Sequence, residues 1–353
     1  MKGLISVLCV LLMLPAFSMP ALAENSGELA APTATPAPGS YSESQTVTLQ
    51  TATPGARIYF TTDGSDPTNQ SHLYTEPITV DATTTVKAVA IRGNGNDRMG
   101  KGKSEVVSMT YTIESREDIA AKFLKLQYKE MPYRLYVPEN YDPNQSYPLV
   151  LFLHGGGERG TDNEKQLLAN DGAIVWAKPE NQRKNPAFVL APQARDTPDG
   201  GFGLTRDSNN ELNLDRVFQF SEDLGTAYEI LQQVRDEYPI DSRRLYSTGL
   251  SQGGFGTFNL NTAYPDLFAA MVPIAAGGDP EKADRIVDKP MWVFHAVDDG
   301  VIPVSYSRDI VEAIKAIGGD PIYTEYPTGG HASWEPAYAN QEMIDWMFKQ
   351  VKP

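Results

Sequence analysis

The segment Gly249-Leu250-Ser251-Gln252-Gly253 sets a serine between two glycines where a short apolar run gives way to apolar residues at helical spacing, Phe255, Phe258, Leu260, Ala263 and Tyr264. This pattern fits a strand-to-helix elbow: a strained turn exposes the serine hydroxyl, and the glycines omit side chains that would strike neighbouring backbone. A serine hydroxyl is a weak nucleophile until a base removes its proton, so the elbow calls for a histidine further along. The chain has four. His72 lies in a β-rich N-terminal segment, His154 precedes a glycine run, and His295 ends an apolar strand as a structural histidine does. His331 remains, on the loop "PTGGHASWEPAY" after the last expected strand, and is the expected base.

An imidazole that takes up a proton needs a carboxylate to orient and stabilise it. "HAVDDGVIPV" offers Asp298 and Asp299 at the carboxyl end of a buried strand, where open α/β sheets gather functional groups. Residue types alone do not separate the two. Acyl transfer also needs donors aimed at a developing oxyanion. Gly155, Gly156 and Gly157 follow the apolar run 149–153 and allow close backbone approach, so the N–H groups of Gly156 and Gln252 are the expected donors. The glycine run lacks the Gly-Lys-Ser/Thr ending of a phosphate loop.

Around these residues the chain supplies two kinds of texture. It has 353 residues, one cysteine (Cys9) and a formal net charge of −15, a balance that argues against nucleic acid and anionic membranes as partners. Lys2, an apolar run over 4–14 and Ala21-Leu22-Ala23 read as a secretory signal peptide over 1–23, which makes the mature chain exported and free of cysteine. No later run approaches the ~20 apolar residues of a membrane span. Residues 24–40, rich in Ala, Pro, Thr and Gly, read as a flexible linker. Short runs rich in Val, Thr and Tyr over 41–113, punctuated by turn residues such as "DGSDP", read as a small β-sandwich. From 114 to 353 strands alternate with helices, the pattern of an α/β domain with a mostly parallel sheet. The expected strands are "KFLKLQY", "YRLYVPENY", "YPLVLFLHG", "PAFVLAP", "RLYSTG", "AAMVPIAA", "MWVFHAV" and "IYTEYP", with helices near 222–238, 253–264, 305–317 and 340–351.

The N-terminal segment resembles the chitobiase/β-hexosaminidase C-terminal-like module through "IYFTTDGSDPT", the Tyr74 to Ile78 stretch "YTEPI" and "TTVKAVAIR". The resemblance implies an immunoglobulin-like accessory domain that binds carbohydrate or acts as a spacer. The remainder resembles secreted serine esterases of the α/β-hydrolase superfamily, in the polyhydroxybutyrate-depolymerase/feruloyl-esterase ("predicted peptidase") group. The motifs are "LHGGGERGTDNEKQL", "STGLSQGGFGTFNL", "YPDLFAAMVPIAAGGD", "FHAVDDGVIPV" and "GGHASWEPAY". The group often has glycine where this chain has Ala296.

That resemblance implies an α/β-hydrolase fold and a Ser251, Asp299, His331 triad, since the spacing His-x-x-x-Asp-x-x-x-Pro falls on His295, Asp299 and Pro303. It places Trp334 beside His331, either as a wall of the substrate pocket or as core packing. It further implies a carboxylic-ester hydrolase acting through an acyl-enzyme on feruloyl or acetyl esters of plant cell-wall polysaccharide. No metal or other cofactor is implied, since the few histidines are already assigned and no metal-ligand cluster appears in the sequence. Two other readings are a serine peptidase of prolyl-oligopeptidase type, disfavoured by the lack of a segment long enough for a propeller, and a non-catalytic carbohydrate-binding protein.

Overall fold

The apolar runs of the second region pair into one eight-stranded sheet in a computed structural model that describes residues 29–93 and 102–353. The signal peptide expected over 1–23 lies outside the described residues. The strands are β1 (Leu124–Tyr128), β2 (Met131–Tyr136), β3 (Tyr147–Leu153), β4 (Phe188–Pro192), β5 (Ile240–Leu250), β6 (Ala270–Ile274), β7 (Trp292–Ala296) and β8 (Ile322–Tyr326). Their spatial order is β8-β7-β6-β5-β3-β4-β2-β1. β1, β2 and β4 pair antiparallel, and every pairing from β4 through β3 to β8 is parallel.

Parallel strands need long crossovers, and here several of those carry helices: α1 (Glu222–Glu237), α2 (Gln252–Ala263) and α3 (Ser305–Ala316), with α4 (Gln341–Lys349) closing the chain. Helices on both faces bury the central strands completely, which is why β3 reads as an unbroken apolar run, with Leu149 to Leu153 all at 0 % exposure. Alternation then sorts the side chains. Val150 and Phe152 pack with Met343, Ile344 and Met347 of α4, while Leu149, Leu151 and Leu153 pack with Leu224, Ile230 and Leu231 of α1. Removing one such side chain, as in Phe152→Ala, costs about 3–5 kcal/mol. Ser221 caps α1 by accepting from the Leu224 N–H at 3.1 Å, and Asn340 caps α4 by accepting from the Met343 N–H at 3.2 Å.

The N-terminal part is all β, with a three-stranded and a five-stranded sheet. Contacts sort the chain into two units, one ending its first stretch at Ala37 and adding Val47–Ile78 and Thr85–Met109, the other holding Pro38–Thr46, Thr79–Thr84 and Thr110–Pro353. The reading of 24–40 as a flexible linker needs correction for its described residues. Thr33–Thr35 pairs antiparallel with Thr48 to Gln50, Gly39–Tyr41 runs parallel to Tyr111 to Ile113, and Leu29 is buried. Ladder hydrogen bonds use backbone alone, so a segment poor in large apolar groups still joins a sheet edge.

Candidate active site

β5 ends at Leu250 and α2 begins at Gln252, which leaves Ser251 alone to turn the chain, at φ 52° and ψ −119°. A side chain in that region costs about 1–3 kcal/mol, and the surroundings over-determine it. The Ser251 N–H donates to Ile274 O at 2.8 Å, and its carbonyl accepts from the N–H of Gly254 at 2.9 Å and of Phe255 at 3.1 Å. The flanking glycines are required by close approach rather than by conformation. A Cβ on Gly249 would sit 2.3 Å from Gly253 O, and one on Gly253 would sit 1.9 Å from Leu153 O at the end of β3.

Ser251 Oγ lies 2.9 Å from His331 Nε2, and His331 Nδ1 lies 2.8 Å from Asp299 Oδ2. Asp299 Oδ1 accepts from the N–H groups of Val301 at 2.8 Å and Ile302 at 2.9 Å. Burial alone would raise the Asp299 carboxyl, but hydrogen bonds from His295, His331, Ile302 and Val301 outweigh it and hold the group well below the usual carboxylate range. Asp298 points elsewhere. It is exposed, and its carboxylate accepts from the N–H of Gly330 at 2.8 Å and of Gly329 at 3.4 Å, which fastens the loop that carries His331. Trp334 meets the His331 ring edge-on, with centroids 5.1 Å apart.

The loop after β3 is held from below. His154 is fully buried; its Nε2 accepts from the Ala194 N–H at 2.9 Å, so the ring hydrogen is on Nδ1 and is donated to Gly155 O at 2.6 Å. Burial pushes this imidazole down to about 4 and keeps it neutral. A trans peptide points its C=O and N–H in opposite directions, so fixing Gly155 O turns the Gly156 N–H away from His154. Arg159 then takes the next carbonyl, Gly156 O, at 3.0 Å, and also binds Thr197 O at 2.8 Å and the Asp196 carboxylate at 3.2 Å. Gln252, the first residue of α2, has a backbone N–H with no partner inside its helix. Its side chain is buried and donates to Thr205 Oγ1 at 3.0 Å.

Comparison with known proteins gives the family. The chitobiase/β-hexosaminidase C-terminal domain family matches residues 36–102 and the Esterase family matches residues 127–300. A crystal structure of a thermostable esterase is similar over 91 % of this chain and 90 % of its own, at 33 % identity and a TM-score of 0.63. The chain belongs to the esterase family. Among curated proteins, this esterase is 25 % identical to a probable feruloyl esterase C of Aspergillus niger over 58 % of this chain and 68 % of that one. It is 27 % identical to a feruloyl esterase D of Neurospora crassa over 52 % and 58 %. It is 28 % identical to a bifunctional acetylxylan esterase/xylanase of Neocallimastix patriciarum over 48 % and 21 %.

Of the residues that the sequence singles out, Ser251, His331 and Asp299 are joined by hydrogen bonds, Trp334 lies against His331, Gln252 follows Ser251 at the start of α2, and Gly156 stands on the loop after β3. The roles of His154 and Arg159 as loop anchors are not legible in the sequence, where His295 reads only as a structural histidine and the start of the spacing to Asp299. The glycine run beside His154 was the available signal, but the direction of a peptide is invisible in residue types. Glu158 is another omission. Burial raises its carboxyl, only partly offset by the N–H groups of Glu158 and Gly155, and Oε2 has no hydrogen-bond partner among the described residues. Those residues also include no cluster suited to a metal ion and no helix long and apolar enough to cross a membrane.

Proposed function

We propose that this chain is a secreted serine carboxylesterase in which Ser251, His331 and Asp299 form the catalytic triad. Ser251 Oγ attacks the ester carbonyl carbon while His331 Nε2 takes the serine proton, and Asp299 holds Nδ1–H and stabilises the imidazolium. The N–H groups of Gly156 and Gln252 receive the oxyanion. As the tetrahedral adduct collapses, the alcohol leaves with the proton from His331. Water then attacks the acyl-serine by the same route and releases the carboxylic acid. The observation that carries the reading is the unbroken relay at 2.9 Å and 2.8 Å beginning at a serine with φ 52°.

The substrate class we infer is feruloyl or acetyl esters of plant cell-wall polysaccharide. The relatives named feruloyl esterase and acetylxylan esterase support it, as does an N-terminal segment of the chitobiase/β-hexosaminidase C-terminal type. Trp334, edge-on to His331, is the side chain we assign to flank an aromatic acyl group. Export rests on the leader read over 1–23. The test is hydrolysis of methyl ferulate, acetylated xylan and p-nitrophenyl acetate by the native chain and by Ser251→Ala. Release of ferulate or acetate by the native chain only is expected. Hydrolysis confined to p-nitrophenyl acetate would reject the polysaccharide assignment, and turnover by Ser251→Ala would reject the mechanism.

A further inference from the structure

The two N–H groups assigned to the oxyanion sit on different loops, Gly156 after β3 and Gln252 after β5, and residues 193–205, which follow β4, touch both. Toward the first loop, the Ala194 N–H donates to His154 Nε2 at 2.9 Å and Ala194 O accepts from the Gly160 N–H at 2.9 Å. Gln193 Nε2 donates to Glu158 O at 2.9 Å. Arg159, which binds Gly156 O, also binds Thr197 O at 2.8 Å and the Asp196 carboxylate at 3.2 Å. A Cβ on Gly156 would meet nothing within 4 Å, so hydrogen bonds rather than packing fix the peptides on either side of it. Toward the second loop, Gly201 has φ 114° and lies so close that a Cβ on it would sit 2.3 Å from Gln252 Cδ. Thr205 Oγ1 accepts from Gln252 Nε2 at 3.0 Å. Gln252 Oε1 is buried with no partner among the described residues, so Thr205 is the amide's one polar tie there. The two halves of the stretch meet at Asp223 of α1, which is 2 % exposed: Oδ2 accepts from the N–H groups of Arg195 at 3.1 Å and Gly201 at 2.7 Å, and Oδ1 binds Arg195 Nε at 2.6 Å.

We propose that residues 193–205, anchored by Asp223, form one brace that sets the separation and direction of the Gly156 and Gln252 N–H groups, with Arg159 and Thr205 as the positioning residues at its two ends. The proposal rests on the triad and oxyanion reading above. Donors stabilise an oxyanion only when both stand about 2.7–3.1 Å from the place where it forms, so two donors on separate loops need a tie between those loops. The sheet holds Ser251 through the bond of its N–H to Ile274 O, whereas Gly156 is held by Arg159 and by His154, both of which bond to the brace. Neither Arg159 nor Thr205 is assigned a contact with the ester. Each acts through the peptide or side chain that it holds. Because the oxyanion exists only along the reaction path, a loosened brace weakens binding of the transition state more than binding of the substrate.

The test uses the full chain and three variants: Thr205→Val, which keeps the shape and removes the acceptor, Thr205→Ser, which restores the acceptor, and Arg159→Gln. Two quantities are measured, steady-state hydrolysis of p-nitrophenyl acetate and inhibition by phenylboronic acid, whose tetrahedral adduct with a serine carries an anionic boron and an oxygen where the oxyanion forms. In Thr205→Val and in Arg159→Gln, kcat should fall ~10-fold, short of the 10²–10³ that loss of a whole oxyanion donor costs. KM should change by less than ~2-fold, and the inhibition constant should rise in step with the loss in kcat. Thr205→Ser should recover most of both. An unchanged kcat in either folded variant would overturn the proposal. So would a lower kcat or melting temperature with an unchanged inhibition constant, the mark of a merely structural role, or a loss that Thr205→Ser does not recover. Should Arg159→Gln fail to fold, the two Thr205 variants decide alone. Failure of the triad reading would show separately, as turnover by Ser251→Ala.

Discussion

Ser251, His331 and Asp299 act as one unit if they form the relay described, so loss of the hydroxyl is not made good by the other two. Ser251→Ala should lower kcat roughly 1000-fold or more with the circular dichroism spectrum unchanged. Protonated His331 cannot accept the serine proton, so kcat/KM should fall on acidification; a profile that stays flat while the protein remains folded would point to another base. The adjacent aspartates separate by what they touch. Asp299→Asn preserves shape but removes the charge behind His331 Nδ1–H, with a loss of up to ~10⁴ in kcat. Asp298→Asn weakens the fastening of Gly330 and should cost about 1 kcal/mol of stability, with most turnover retained. Steady-state rates on one ester, compared for both variants, check the assignment. Sequence alone could not divide this pair, because neighbouring residues leaving a strand differ only in direction. The family spacing from His295 to Pro303 supplied what residue type lacked.

At the level of elements, the strands were legible because burial on two faces demands unbroken apolar runs such as Leu149 to Leu153. The hairpin Leu204–Arg206 with Leu212–Arg216 was not, since "LTR" is three residues long and the alternation in "LNLDR" has only two apolar positions, Leu212 and Leu214. Short helices such as Lys165–Leu168 and Ile174–Ala177 were equally hidden, being one turn long and without side-chain caps. The elbow glycines act as spacers, and their packing differs from that of Gly156 and Gly157 in the glycine run. On Gly156 a Cβ meets nothing within 4 Å, whereas on Gly253 it would collide with β3. Gly156→Ala should therefore keep the native melting temperature. Gly253→Ala must displace α2 from β3 and should cost at least ~1–3 kcal/mol together with turnover, because Gln252 and Ser251 move with the helix end. Thermal unfolding and ester hydrolysis of the two variants test this; equal behaviour would mean that the approach of α2 to β3 does not control the elbow.

Stability of the molecule as a whole should fall on the acid side, and His154 makes the fall begin early. Its imidazole is pushed from 6.5 to about 4 by burial, so between those values the unfolded chain binds a proton that the folded chain refuses. The folded state is disfavoured by ~1.4 kcal/mol per pH unit across that window, about 3 kcal/mol in all, and below about pH 4 the penalty stops growing. Carboxylates act next. Asp162, bound by the N–H groups of Lys165 and Glu164, and Glu325, bound by Arg308 and Tyr323, are both lowered to about 2. The stability they contribute is present above the ordinary carboxylate range and is lost as pH falls toward 2. Glu158, raised by burial, works in the opposite sense, so the shape of a single stability curve does not isolate any one group. A difference between two proteins does. His154→Asn should be less stable than the native chain at pH 7, since it loses packing and the bond from Ala194, but its stability should change little between pH 6.5 and 4.5. The native chain should lose about 2–3 kcal/mol over the same interval. Urea unfolding at a series of pH values measures both slopes. Parallel curves would mean that the neutral His154 under the loop after β3 is not the group that makes the fold acid-sensitive.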